Sequence, residues 1–115
     1  MSTRMVEPLK LVAPDDEGGA REQIATTMMV QAEAVLAFLN TKTGRKFPAR
    51  TPKGAPTSST LLIFDRLRDG YSVDDIRSVI AMKWRRCRTD TDVFFMRPLT
   101  LFRKGNFEQS IGELE

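Results

Sequence analysis

The sequence has no histidine, one cysteine, one tryptophan and one tyrosine among 115 residues. Without imidazole there is no Ser-His-Asp triad and no side chain that titrates near neutrality unaided, and a single thiol among scattered carboxylates does not make a zinc cluster. The chain therefore reads as a non-enzyme that needs no metal and no cofactor. Cys87 stands alone, so no internal disulfide can form, which suits a reducing cytosol. No apolar run approaches the ~20 residues of a membrane span, and the opening residues do not follow the charged-then-apolar order of a secretory leader. No GKS or GKT follows Gly18, Gly19 or Gly44, which removes a phosphate-cradling loop and nucleotide hydrolysis with it.

What is present suits one compact domain. With 41% hydrophobic and 29% charged residues, a chain of this length buries roughly two-thirds of its unfolded surface, enough for a core without staples. The net charge of +3 points weakly to an acidic partner, so its placement matters more than its size.

Residues 1–20, with two prolines, Asp15-Asp16-Glu17 and Gly18-Gly19, read as a flexible acidic tail, although Val6, Leu9 and Leu11 could dock. The domain is 21–115. Ile24, Met28, Ala32, Val35, Leu36 and Leu39 recur at helical spacing and predict a helix over 21–41 that stops near Gly44. Pro48, Pro52, Gly54 and Pro56 then break the pattern in a basic loop. Thr57 or Ser58 caps a second helix over 58–69, with Leu61 to Phe64 and Leu67 inward, Asp65, Arg66, Arg68 and Asp69 in water, and Gly70 as the stop. Ser72 caps a third over 73–88, in which Asp74 and Asp75 occupy the first turn as dipole partners, not as a metal pair. Pro98 suits the first turn of a short helix, and Phe107, Ile111 and Leu114 predict a final one. Strand signals are sparse. The expected fold is all-α: a small single-domain helical bundle with a short helical C-terminal arm, its core built on Leu39, Leu62, Ile63, Leu67, Ile76, Ile80 and Trp84.

Three blocks occur in one order: AEAVLAFLNTKTGRKF at 32–47, RLRDGYSVDDIRSVIAMKW at 66–84 and FMRPLTLFRKGNFE at 95–108. Together they resemble the conserved C-terminal domain of phage replication-initiation or replisome-organiser proteins. The matching positions include Phe38, Leu39, Asn40, Gly44 and Phe47; Arg66, Gly70, Tyr71 and Trp84; and Arg97, Pro98, Phe102 and Phe107. The resemblance implies a role in phage or prophage DNA replication, with a replicative helicase or helicase loader as partner. Members of that family carry a DNA-binding winged-helix segment ahead of this domain, whereas residues 1–20 here do not resemble one. This keeps open a second reading, a small phage protein that binds and inhibits a host protein.

Two clusters are candidates for weak electrostatic contact with DNA. Lys83, Arg85, Arg86 and Arg88 gather at the end of the third helix, where they also complement its dipole; Lys42, Arg45, Lys46, Arg50 and Lys53 form another run that contains no acid and lies in a loop free to follow a phosphate backbone. Arg97 and Phe102, in the RPLTLF block, are the candidates for protein interaction, and Arg97 could equally bond a carbonyl at a helix end. Homo-oligomerisation is compatible with all of this.

Overall fold

A computed structural model describes residues 13–114, with side chains from Arg21 onward. Six helices follow one another among these residues: α1 (Ala13–Thr43), α2 (Ser58–Arg68), α3 (Val73–Arg85), α4 (Asp90–Phe94), α5 (Pro98–Leu101) and α6 (Lys104–Gly112). There is no strand among them, only an isolated antiparallel bridge between Arg50 and Pro56. The fold is all-α and single-domain, as the sequence predicts. Residues 13–20, assigned to the tail by sequence, are the opening turns of α1. Proline and acids are residue types that favour a helix start. Val6, Leu9 and Leu11 lie outside the described residues.

The 31 residues of α1 make a rod of about 46 Å. Among its described side chains, those of the second half enter the bundle: Ala32, Val35, Leu36 and Leu39 are buried, whereas 21–27 are exposed. The stretch Arg21–Thr43 holds an 18-residue window of mean hydropathy 1.2, long and apolar enough by length and composition to cross a membrane. The sequence expectation counted unbroken apolar runs; this stretch is interrupted by threonine, glutamine, asparagine and the charged Glu33, and a core helix passes the same test of length and composition. Gly44, at φ 73°, ends the helix in the left-handed region that a side chain resists.

The helix starts follow local hydrogen bonding. Thr57 caps α2 by accepting from the Thr60 amide. Ser72 and Asp75 form a reciprocal capping box on α3, and Thr89 and Asp92 form another on α4. Gly70, at φ 108°, turns the chain between α2 and α3. α3 stops at Arg85, three residues before its expected end, and the chain re-enters a helix at Asp90. α4 went unpredicted because its T-x-x-D signal sits beside an aromatic stretch that reads as irregular.

The second half of α1 packs on α2 and α3; α2 meets α5, and α6 closes against α3 and α5. Leu39, Ile63, Leu67, Ile76 and Ile80 are buried as expected, but Leu62 and Trp84 are only partly so, and Leu61 is 41% exposed. The C-terminal arm shares this core through Met96, Leu101, Phe102 and Phe107. Phe107 stands edge-on to Tyr71 at 4.9 Å and lies 6.3 Å from Phe102 between centroids, an arrangement aromatic quadrupoles favour. Arg66, expected in water, is 7% exposed: Nη1 donates to the Phe102 carbonyl at 2.9 Å, and Nε lies 2.9 Å from Asp69 Oδ2. The Nε contact is ionic, off the direction of a hydrogen bond.

Candidate functional site

The loop that follows α1 carries the first basic cluster, and its backbone is pinned. The Asn40 amide bonds Phe47 in both directions, Nδ2 to the carbonyl and the amide N–H to Oδ1, each at 3.0 Å. Buried Thr60 donates to the Ala49 carbonyl at 2.8 Å, and Thr57 to Pro48 at 2.7 Å. A loop expected to adapt to a phosphate backbone is thus fixed before any partner arrives. Arg50 reaches Glu33 of α1 at 2.7 Å and donates to the Gly54 carbonyl, so the acid missing from the loop comes from the helix before it. Arg45 lies over the Phe47 ring at 5.9 Å and donates to the Val93 carbonyl of α4 at 3.3 Å. Lys46 and Lys53 are exposed, without an ion pair among the described residues.

The second cluster is largely engaged within the chain. Lys83 and Arg86 converge on Glu113, just beyond α6, at 3.3 and 2.8 Å. The hydrogen bond from Lys83, its charge, and the bond from Arg86 together hold the Glu113 carboxyl below its ordinary value. Arg88 turns back to donate to the carbonyls of Arg85 and Cys87, which finishes α3. Arg85 alone of this group is exposed without such a partner among the described residues. The Arg88 backbone amide bonds Asp92, and this bond, helped by those from Thr89, draws the Asp92 carboxyl down.

Beneath the Glu113 clamp lies a groove of about 400 Å³ whose lining includes Cys87, Phe95, Met96 and Leu101. Cys87 donates to the Lys83 carbonyl at 3.4 Å. Desolvation, with the Asp92 charge beside it, pushes its thiol above the ordinary value, and Arg88 only partly offsets them. A protonated thiol is a poor nucleophile.

Of the two residues expected to meet a protein, Phe102 is corrected by its burial: it is fully enclosed and has no surface to present. Its place in the RPLTLF block reflects the core. Arg97 is half-buried, with its guanidinium 4.6 Å from the centre of the Phe94 ring and Nε bonded to Thr100 Oγ1 at 3.3 Å. Around it stand Phe94, Phe95 and Leu99, 49%, 48% and 52% exposed. Phe94 and Phe95 meet edge-to-face at 5.4 Å. The sequence reading passed over this ridge because apolar residues beside a helix usually face inward, and α4 is too short to turn both rings into the core.

The gathering of cations at Phe38 also went unnoticed. Phe38 of α1 carries two cations over its ring, Lys42 from the next turn at 5.7 Å and Arg77 from α3 at 5.3 Å. Phe38 and Lys42 stand at i,i+4 spacing, a signal open to inspection; the approach of Arg77 depends on how two helices pack.

Among known proteins, a family model described as a conserved phage C-terminus matches residues 35–111. No curated protein and no solved structure matches the chain.

Proposed function

Because the chain belongs to the conserved phage C-terminus family, we propose that it is a binding module of phage DNA replication that docks on a replicative helicase or helicase loader and is drawn weakly to DNA. It acts by contact and not by catalysis, in the cytoplasm of the bacterial host. The order of the FLNTKTGRKF, RLRDGYSVDD and MRPLTLF blocks supports the replication role through their resemblance to replisome-organiser domains.

The observation that carries the docking reading is the ridge of Phe94, Phe95 and Leu99 around Arg97. Large aromatic side chains beside an arginine are the residue types that dominate binding energy at protein interfaces, and grouped exposure of this kind is uncommon on a surface without a partner. Lys46, Lys53 and Arg85, without an ion pair among the described residues, add a sequence-independent attraction to phosphate.

Capture of purified host helicase and loader by the full chain, followed by a helicase-loading assay, tests the reading. The triple variant Phe94→Ala, Phe95→Ala and Leu99→Ala is expected to lose capture while its unfolding midpoint stays close to that of the parent. Capture that survives the triple variant removes the ridge. Failure with both replication proteins, alongside reproducible recovery of one unrelated host factor, transfers the protein to the inhibitor reading.

A further inference from the structure

Lys42 and Arg77 differ from Arg50, Lys83 and Arg86, whose charges are engaged by Glu33 and Glu113. Neither has a carboxylate within 4.0 Å among the described residues, and both are exposed. Asp74, one turn before Arg77, forms no ion pair with it, and Asp75 is committed to the Ser72 cap. What holds the two cations is the ring of Phe38, approached from α1 by one and from α3 by the other. An aromatic face orients a cation without neutralising it.

The same contacts show how the two helices run. Arg77, near the start of α3, lies over Phe38, and Arg45, just past the end of α1, reaches Val93, beyond the end of α3. The two therefore advance in the same sense, and Arg77, Lys42 and Arg45 follow one another along their seam. From Phe38 to Thr43, the end of α1, is about 8 Å at helical rise with Arg45 two residues further, and one strand of DNA presents a phosphate about every 3.4 Å of axis.

We propose that Arg77, Lys42 and Arg45 form a linear strip along the α1–α3 seam that binds about three successive phosphates of one nucleic-acid strand. The inference rests on the DNA part of the function proposed above and gives that part a surface. Phe38, already covered by two cations, supports charge and does not serve as a platform for bases. The strip therefore reads backbone and not sequence.

Fluorescence polarisation with a labelled duplex and a labelled single strand, between about 50 and about 200 mM salt, tests this. The three cations of the strip are expected to contribute about −2.7 on duplex and about −2 on single strand to the slope of log affinity against log salt, with Lys46, Lys53 and Arg85 adding to it. Lys42→Gln with Arg77→Gln should weaken binding roughly tenfold or more at low salt and make the duplex slope shallower by about 1.8. Arg103→Gln with Lys104→Gln, which removes the same charge from exposed positions around the start of α6, should leave both unchanged, and Lys42→Arg with Arg77→Lys should keep the slope. A glutamine pair that binds like the parent overturns the strip and leaves DNA binding itself standing. An equal loss in the Arg103 and Lys104 pair, or in the charge-keeping pair, also overturns it. A full chain that does not bind either DNA at the lowest salt removes the strip and the DNA reading together.

Discussion

Arg66 Nη1 donates to the carbonyl of Phe102 at 2.9 Å, a bond that spans 36 residues of sequence and ties α2 to the end of α5. The carbonyl belongs to a fully buried residue, so no water can take the place of the guanidinium. Arg66→Met is expected to cost about 1.5–3 kcal/mol, the range for a hydrogen bond to a charged group, read as a lower urea midpoint with unchanged slope. Arg66→Lys should recover little of it, because an ammonium does not reproduce the fork that serves Phe102 and Asp69 at once. A lysine variant as stable as the parent would show that charge alone suffices.

Phe107 and Trp84 rank in the opposite order to their sizes. Phe107 is fully buried against Tyr71 and Phe102, so Phe107→Ala should cost about 3–5 kcal/mol. Trp84 is only partly covered, and Trp84→Ala should cost about 1–2 kcal/mol. Paired urea denaturation decides the order, and a larger loss at Trp84 would contradict the packing.

Acid should release the Glu113 clamp in a definite direction. Lys83 and Arg86 lower the folded-state value of its carboxyl, so the clamp contributes stability that is fully present above the unfolded value of about 4.3 and is lost as pH falls through the lower folded value. Glu113→Gln should therefore melt below the parent at pH 7, and the gap should close as pH falls through that window. A gap independent of pH would assign the effect of the substitution to packing.

Cys87 should be slow to alkylate. Because burial and Asp92 raise its thiol value, iodoacetamide should modify the folded protein more slowly at pH 8 than the urea-unfolded chain, with rates that converge only above the ordinary thiol value of about 8.5. Equal rates at pH 8, followed by mass spectrometry, would place the thiol in open solvent.

Most features governed by near neighbours were legible in the sequence, the Thr89–Asp92 box of α4 and the Phe38–Lys42 pair excepted. Ser72 with Asp75, Thr57, Gly44 and Gly70 each act within a few residues, and they place the starts of α2 and α3 and the stop of α1. Partners distant along the chain were not legible. Glu113 claims Lys83 and Arg86 from 30 and 27 residues away, and Glu33 claims Arg50, so a run of positive letters overstated the free charge. Arg77 was passed over for the converse reason: it stands outside any basic run and joins Lys42 only when α1 and α3 align. Phe102 occupies a block that resembles a recognition motif, yet its side chain completes the core.

The uneven seating of α1 has a kinetic consequence. A helix continuous in its hydrogen bonds but docked only from about Met28 onward contains amides with two routes to solvent. Those near Leu36 and Leu39 open only when the bundle unfolds, whereas those of 21–27 can unwind by themselves, because undocked helical turns are marginal in water. Native-state hydrogen exchange should divide this one helix into a slow half that reports the global free energy and a fast half that does not. Small additions of denaturant should accelerate the slow class alone.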